Sequence, residues 1–176
     1  MLVTQQPVLR RFWYALMPVS QLDNGPQPFT LLGERVVLFM GQQGPVALAD
    51  RCCHRTAQLS KGWVEDGVIV CGYHGWRYDQ TGACVCIPQQ ADNAPIPAGA
   101  RTTAFHCQEK YGYVWVCLDE PLQPIPVFAE DGAPAYRRIF QFYEQWKTSA
   151  LRFMENSFDN SHFSFVHKAN FGMLSQ

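Results

Sequence analysis

Two short loops, each offering one cysteine and one histidine, constrain this chain more than any other feature. Cys52-Cys53-His54 is a Cys-x-His unit and Cys71-Gly72-Tyr73-His74 is a Cys-x-x-His unit, with sixteen residues, 55–70, between them. Each unit is bracketed by short apolar runs, so each pair is offered in a loop between strands. A structural zinc site also accepts two Cys and two His, but its usual grammar pairs like with like. One thiolate and one imidazole per loop suits a different task. Two facing loops that clamp a two-iron cluster must each give one ligand to each iron. Neutral imidazole in place of thiolate also removes negative charge, which raises the reduction potential of such a cluster.

The remaining residues must supply a core. The chain has 176 residues, of which 47% are hydrophobic and 14% aromatic, too apolar for disorder. At roughly 100–200 residues per domain, this is one domain, or one domain and part of another. Lys and Arg total 14 against 15 Asp and Glu, a net charge of −1. That balance gives no field for nucleic acid and no polybasic membrane footprint. No segment reaches the roughly 18 apolar residues of a membrane span. Met1 to Arg11 lacks the basic start and apolar run of a secretory signal. Seven cysteines are an odd number, unsuited to a closed disulfide framework. Without an export signal they point to metal binding or free thiols, and so to a reducing, cytoplasmic setting.

Apolar runs over Phe12–Val19, Phe29–Met40, Val46–Ala49, Val68–Val70 and Tyr113–Leu118 alternate with turn signals at Asn24-Gly25-Pro26, Gly33-Glu34 and Gln42-Gln43-Gly44-Pro45. This predicts a mainly β fold, a small sandwich or barrel. Pro121, Pro124, Pro126 and Pro134 mark a linker over 121–134. After it, Tyr136–Phe142 reads as a strand. Ser149 to about Ser164 reads as a helix with Thr148 or Ser149 as N-cap. The expected organisation is a cluster domain over 1–120, the linker, and the start (strand plus helix) of an α+β domain over 135–176.

Cys52-x-His54-Arg55 followed by Cys71-Gly72-Tyr73-His74-Gly75-Trp76-x-Tyr78 resembles the Rieske domain of Rieske non-haem iron oxygenases. The resemblance covers roughly residues 10–120, including the Asp79–Gly82 turn and the Tyr111–Leu118 strand. It implies a β-sandwich with an inserted two-loop subdomain holding a [2Fe-2S] cluster. Cys52 and Cys71 would bind one iron, His54 and His74 the other. The extra cysteines of the cytochrome-bc type are missing, since Ala57 and Tyr73 occupy those regions. Cys53 stands where the family often has Pro. The segment Phe12–Pro18 and the stretch Cys107–Gly112 resemble the α subunits of vanillate demethylase and of pheophorbide or chlorophyllide oxygenases.

A second constellation is Asn156-x-x-Asp159-x-x-His162-x4-His167. Asp159 and His162, three apart, are neighbours on a helix face. His162 and His167 would point about 140° apart on a continuous helix, so the helix must end or distort between them to bring both to one ion. Two His and one carboxylate with open positions is the non-haem Fe(II) oxygenase pattern. This stretch resembles the start of the catalytic domain of the same oxygenase family. The resemblance implies His162 and His167 as ligands of a mononuclear Fe(II). Asp159 would be the carboxylate bridging that centre to His74 of a neighbouring subunit. The third ligand is expected downstream, because Lys168–Gln176 contains no acid; otherwise Asp159 itself ligates. The chain is therefore expected to be a fragment.

By resemblance, a ferredoxin or flavin-containing reductase feeds electrons to the cluster. O2 and a small organic substrate then react at the mononuclear iron, giving hydroxylation, dihydroxylation or demethylation, and the intact enzyme forms a homotrimer. A stand-alone Rieske ferredoxin and a zinc-stabilised interaction module are the rivals; the first leaves Asp159, His162 and His167 without work. Elsewhere Cys84, Cys86, Cys107 and Cys117 read as buried thiols, and His106 as a strand-edge or satisfied histidine. Trp13, Trp63, Trp115 and Trp146 read as core or interface packing, and Trp76 and Tyr78 as shields of the cluster. Gly72 and Gly75 read as tight-turn residues or as donors of backbone N–H groups to the cluster.

Overall fold

The structure, a computed structural model, describes residues 5–91, 94–139, 143–144 and 146–167. Ten strands carry the first part of the chain: β1 Tyr14–Pro18, β2 Gln27–Leu31, β3 Glu34–Gly41, β4 Gly44–Ala49, β5 Trp63–Glu65, β6 Val68–Val70, β7 Arg77–Tyr78, β8 Cys84–Cys86, β9 Ala104–Lys110 and β10 Tyr113–Cys117. They form an antiparallel six-stranded sheet in the order β1-β10-β9-β4-β3-β2 and a four-stranded sheet in the order β5-β6-β7-β8. The expected mainly β fold is present. The small sheet is an insertion between β4 and β9.

Three hairpins turn through two residues with both φ angles positive: Leu32-Gly33, Asp66-Gly67 and Tyr111-Gly112. Such loops match the right-handed twist of the flanking strands. The first lies one residue earlier than the expected Gly33-Glu34 turn. β3 is buried on both faces from Val36 to Phe39, which explains its unbroken apolar run. Val37, Phe39 and Leu48 from the large sheet share one cluster with Ile69, Tyr78 and Cys84 from the small one, and Cys52 and Cys71 belong to it. The two loops of interest are thus rooted in the core that joins the sheets.

By compactness the chain divides into residues 1–139 and 140–176. In the first unit the proline-rich stretch is fastened down. Ile125 is buried, Lys110 Nζ donates to the Ile125 carbonyl at 3.1 Å, and Tyr111 Oη donates to that of Pro126 at 2.8 Å. The strand expected over Tyr136–Phe142 does not form at 136–139, and 140–142 lie outside the described residues.

In the second unit the single helix expected over Ser149–Ser164 is two: α1 Ala150–Phe158 and α2 Phe163–Val166. Ser149 caps α1 by accepting from the Arg152 N–H at 3.3 Å. Asp159 ends α1, and its Oδ1 accepts from the Ser161 N–H at 2.9 Å, so the side chain competes with the next helical turn.

Among the tryptophans, Trp63 and Trp146 are about half exposed, at 47% and 56%, and are not core within this chain. Cys84 and Cys117 are buried, Cys86 and Cys107 only half-buried. No helix among the described residues is long and apolar enough to cross a membrane.

Candidate metal centre

The two Cys/His loops share one backbone design. In the first, the Cys52 N–H donates to the Ala57 carbonyl at 2.8 Å, and the Cys52 carbonyl accepts from the Thr56 N–H at 3.0 Å. In the second, the Cys71 N–H donates to the Trp76 carbonyl and the Cys71 carbonyl accepts from the Gly75 N–H, both at 2.9 Å. The fifth residue of each loop has positive φ, +57° at Thr56 and +74° at Gly75. Superposed by these bonds, His54 matches Tyr73 and His74 matches Arg55. The imidazoles therefore come from different steps of equivalent loops. Gly75 spends its N–H on closing the loop, so the turn reading holds for it. Gly72 is needed for close approach, because a Cβ there would stand 2.9 Å from the Lys61 carbonyl oxygen.

Cysteines and histidines separate by depth. Cys52 and Cys71 are 2% and 1% exposed, while His54 is exposed and His74 half-buried. Burial raises the Cys71 thiol, and Cys52 lies within hydrogen-bonding reach of it. The His54 and His74 rings are neighbours, centroids 4.7 Å apart with planes tilted by 56°. Partial desolvation, then His74 and Arg55, hold His54 below the usual imidazole range. The donors thus form a thiol pair inside and an imidazole pair outside. Among the described residues no three His, Cys, Asp or Glu side chains close on a single ion, and all seven cysteines are free. Two pairs of this chemistry fit a two-iron cluster with two donors per iron.

The surroundings hold the loops in place. Tyr78, fully buried, has Oη 3.0 Å from Cys52 Sγ and 3.3 Å from Cys53 Sγ, and burial raises its phenol strongly. Trp76 stacks on His54 at 4.6 Å with planes 3° apart. The sequence marks these two residues only as shields; Tyr78 is in hydrogen-bond contact with a cysteine and Trp76 supports an imidazole. Gln89 Nε2 donates to the His74 carbonyl at 2.8 Å.

Asp50, which sequence reasoning missed, is buried and accepts from the Ser60 N–H and hydroxyl, both at 2.8 Å. It ties the start of the first loop to the turn beyond it. No motif marks it.

In the second unit Asp159, His162 and His167 are brought near one another. Asp159 Oδ2 lies 3.4 Å from His162 Nδ1, and the His162 and His167 rings are 5.3 Å apart. The Ser161 N–H, and after it His162, holds the Asp159 carboxyl below its usual range. The helix break precedes His162 rather than following it. Because α1 ends at Phe158, Asp159 and His162 meet across a turn and not on one helix face.

Residues 12–108 match the family described as Rieske [2Fe-2S] domain. Methylxanthine N1-demethylase NdmA of Pseudomonas putida is 38% identical over 171 residues, 93% of this chain and 48% of that protein. Its solved structure superposes with a TM-score of 0.86 over 96% of this chain and 53% of that one, at 37% identity. Chlorophyllide a oxygenase of Chlamydomonas reinhardtii is 32% identical over 93% of this chain and 25% of its own length. Dicamba monooxygenase bound to dicamba superposes with a TM-score of 0.80 at 31% identity, over 92% of this chain and 49% of that one. The chain spans about half the length of the two N-demethylase relatives, 48% and 50%.

Proposed function

The chain belongs to the Rieske [2Fe-2S] domain family, and on that premise we propose that it is the N-terminal part of the oxygenase component of a Rieske non-haem iron oxygenase. Residues 1–120 would be the cluster domain, 121–134 the linker and 135–176 the start of the catalytic domain. Cys52 and Cys71 would hold one iron of the cluster, His54 and His74 the other. His162 and His167 would be two ligands of the mononuclear iron. The observation that carries this reading is the pairing of two buried thiols with two outward imidazoles on matched loops.

When bound, the two iron centres supply one-electron storage and O2 activation. The chain's own residues do the rest. The core around Cys52 and Cys71 keeps water from the thiol side. Tyr78 Oη lies 3.0 Å from Cys52 Sγ and would donate to a thiolate there, drawing charge off it. Trp76 fixes the plane of the His54 ring. His54 and His74, on the outer side of the loops, would be the outlet for an electron held there. Asp159 accepts from His162 Nδ1–H, which leaves Nε2 as the free donor and sets the tautomer. The same carboxylate would bridge toward His74 of a neighbouring subunit in a homotrimer.

The whole enzyme would take electrons from a ferredoxin or flavin-containing reductase in the cytoplasm. It would hydroxylate or demethylate a small aromatic or other organic substrate with O2, the N-demethylase relatives favouring demethylation. A stand-alone electron carrier would leave the Asp159–His162 contact without purpose. Cys71→Ser and His74→Ala test the ligand set. Each should abolish the visible cluster spectrum, and its retention in either variant rejects the assignment.

A further inference from the structure

Behind the first loop lies an open cleft of about 510 Å³ whose lining includes Arg35, Arg51 and Arg101 together with Cys53. Arg35 is the second residue of β3, Arg51 follows β4, and Arg101 is bridged to Ala83. Three distant stretches of chain thus bring three arginines to the wall of one concavity. All three residues are exposed. Arg101 donates to the Thr81 carbonyl at 3.1 Å. Among the described residues no ion pair is formed by Arg35, Arg51 or Arg101.

The two acids in the lining are already engaged. Asp50 is buried against Ser60. Glu34 lies 3.7 Å from Arg10. The lining carries three arginines against two carboxylates, a formal excess of one positive charge, in a chain whose overall balance is slightly negative.

The position of the cleft is as telling as its charge. Arg51 and Cys53 are the two chain neighbours of Cys52, so the wall of the cleft is the backbone that carries a proposed cluster ligand. The imidazoles leave the loops on their exposed side, whereas this cleft is reached through Cys52 and its neighbours. The geometry points to a docking site for the acidic face of a one-electron donor protein, with a carboxylate seated among Arg35, Arg51 and Arg101. The inference rests on the cluster assignment above. In the step served, the donor loses one electron and the cluster gains it, with no bond made or broken. Clefts of one sign raise the association rate of an oppositely charged partner about 10–10³-fold at low salt.

The test uses the holoprotein and a reduced, acidic plant-type [2Fe-2S] ferredoxin as donor, followed by stopped flow. The Arg35→Glu/Arg51→Glu double variant should be reduced at least about tenfold more slowly at low ionic strength, with the gap closing as salt screens the charges. Arg137→Glu, outside the cleft, should stay within about twofold of wild type. A second readout needs no electron transfer: hexacyanochromate(III), a redox-inert paramagnetic anion, should broaden the amide signals of residues 33–35 and 101–103 in wild type and not in the double variant. An unchanged reduction rate in the double variant overturns the docking site. Loss of broadening with that unchanged rate leaves a small-anion site and also overturns it. If the wild-type chain carries no cluster, the functional reading fails and the docking site fails with it; a cluster present with unaffected rates rejects the docking site alone.

Discussion

Tyr78 Oη lies 3.0 Å from Cys52 Sγ, inside the core and beneath the loop that carries His54. A hydrogen bond to a thiolate counts more when the cluster holds an extra electron, so it favours the reduced form. Tyr78→Phe removes the hydroxyl and keeps the ring. The reduction potential should fall by on the order of 50 mV, read by a redox titration followed by EPR. An unchanged potential would mean that the contact carries no weight in tuning.

The matched loops make opposite predictions at their fifth residues. Gly75 has φ +74° and a Cβ there would meet Pro88 Cγ at 3.2 Å, so Gly75→Ala should destabilise by about 1–2 kcal/mol. Thr56 already holds φ +57° without being glycine. Thr56→Gly relieves that strain and should be neutral or stabilising by up to about 1 kcal/mol. Thermal unfolding of the two variants decides; equal losses would reject the equivalence of the loops.

Asp50 is the buried brace of the first loop. Asp50→Ala leaves the Ser60 N–H and hydroxyl without their acceptor and should cost about 2–4 kcal/mol. Ser60→Ala keeps the N–H contact and should cost only about 1 kcal/mol. Denaturant unfolding with the cluster absorbance as second probe measures both, and a mild Asp50→Ala would show that the brace is dispensable.

The Asp159 carboxyl is held below its ordinary range, first by the Ser161 N–H and then by His162. A depressed folded-state value means its contribution to stability is present above the unfolded pKa and is lost as pH falls through the folded one. The Asp159 carboxyl carbon, followed by NMR, should titrate below the ordinary aspartate range. Ser161→Pro removes the N–H donor and should move the midpoint up; no movement would discard that cause.

Much of this was legible because the ligand types are rare and their spacing is strict. Cys52, His54, Cys71 and His74 stand in one short stretch, and the fold brings them together. The strands around them were visible as β-branched and aromatic runs, and β3 reads as a continuous run because both its faces are buried. The break after Phe158 was less visible. Asp159-Asn160-Ser161 is a turn-forming triplet, but the apolar spacing on either side outweighed it. Asp50 and the arginine cleft were not legible, since Arg35, Arg51 and Arg101 line one cleft only through the tertiary fold. The equivalence of the loops was hidden because their histidines sit at different steps.

The central claim is a two-iron cluster on two Cys and two His, and the direct measurement is iron and acid-labile sulfide per chain on anaerobically purified protein. The account predicts about two irons and about two sulfides, all lost in Cys71→Ser. A colourless protein with one zinc and no sulfide would contradict it.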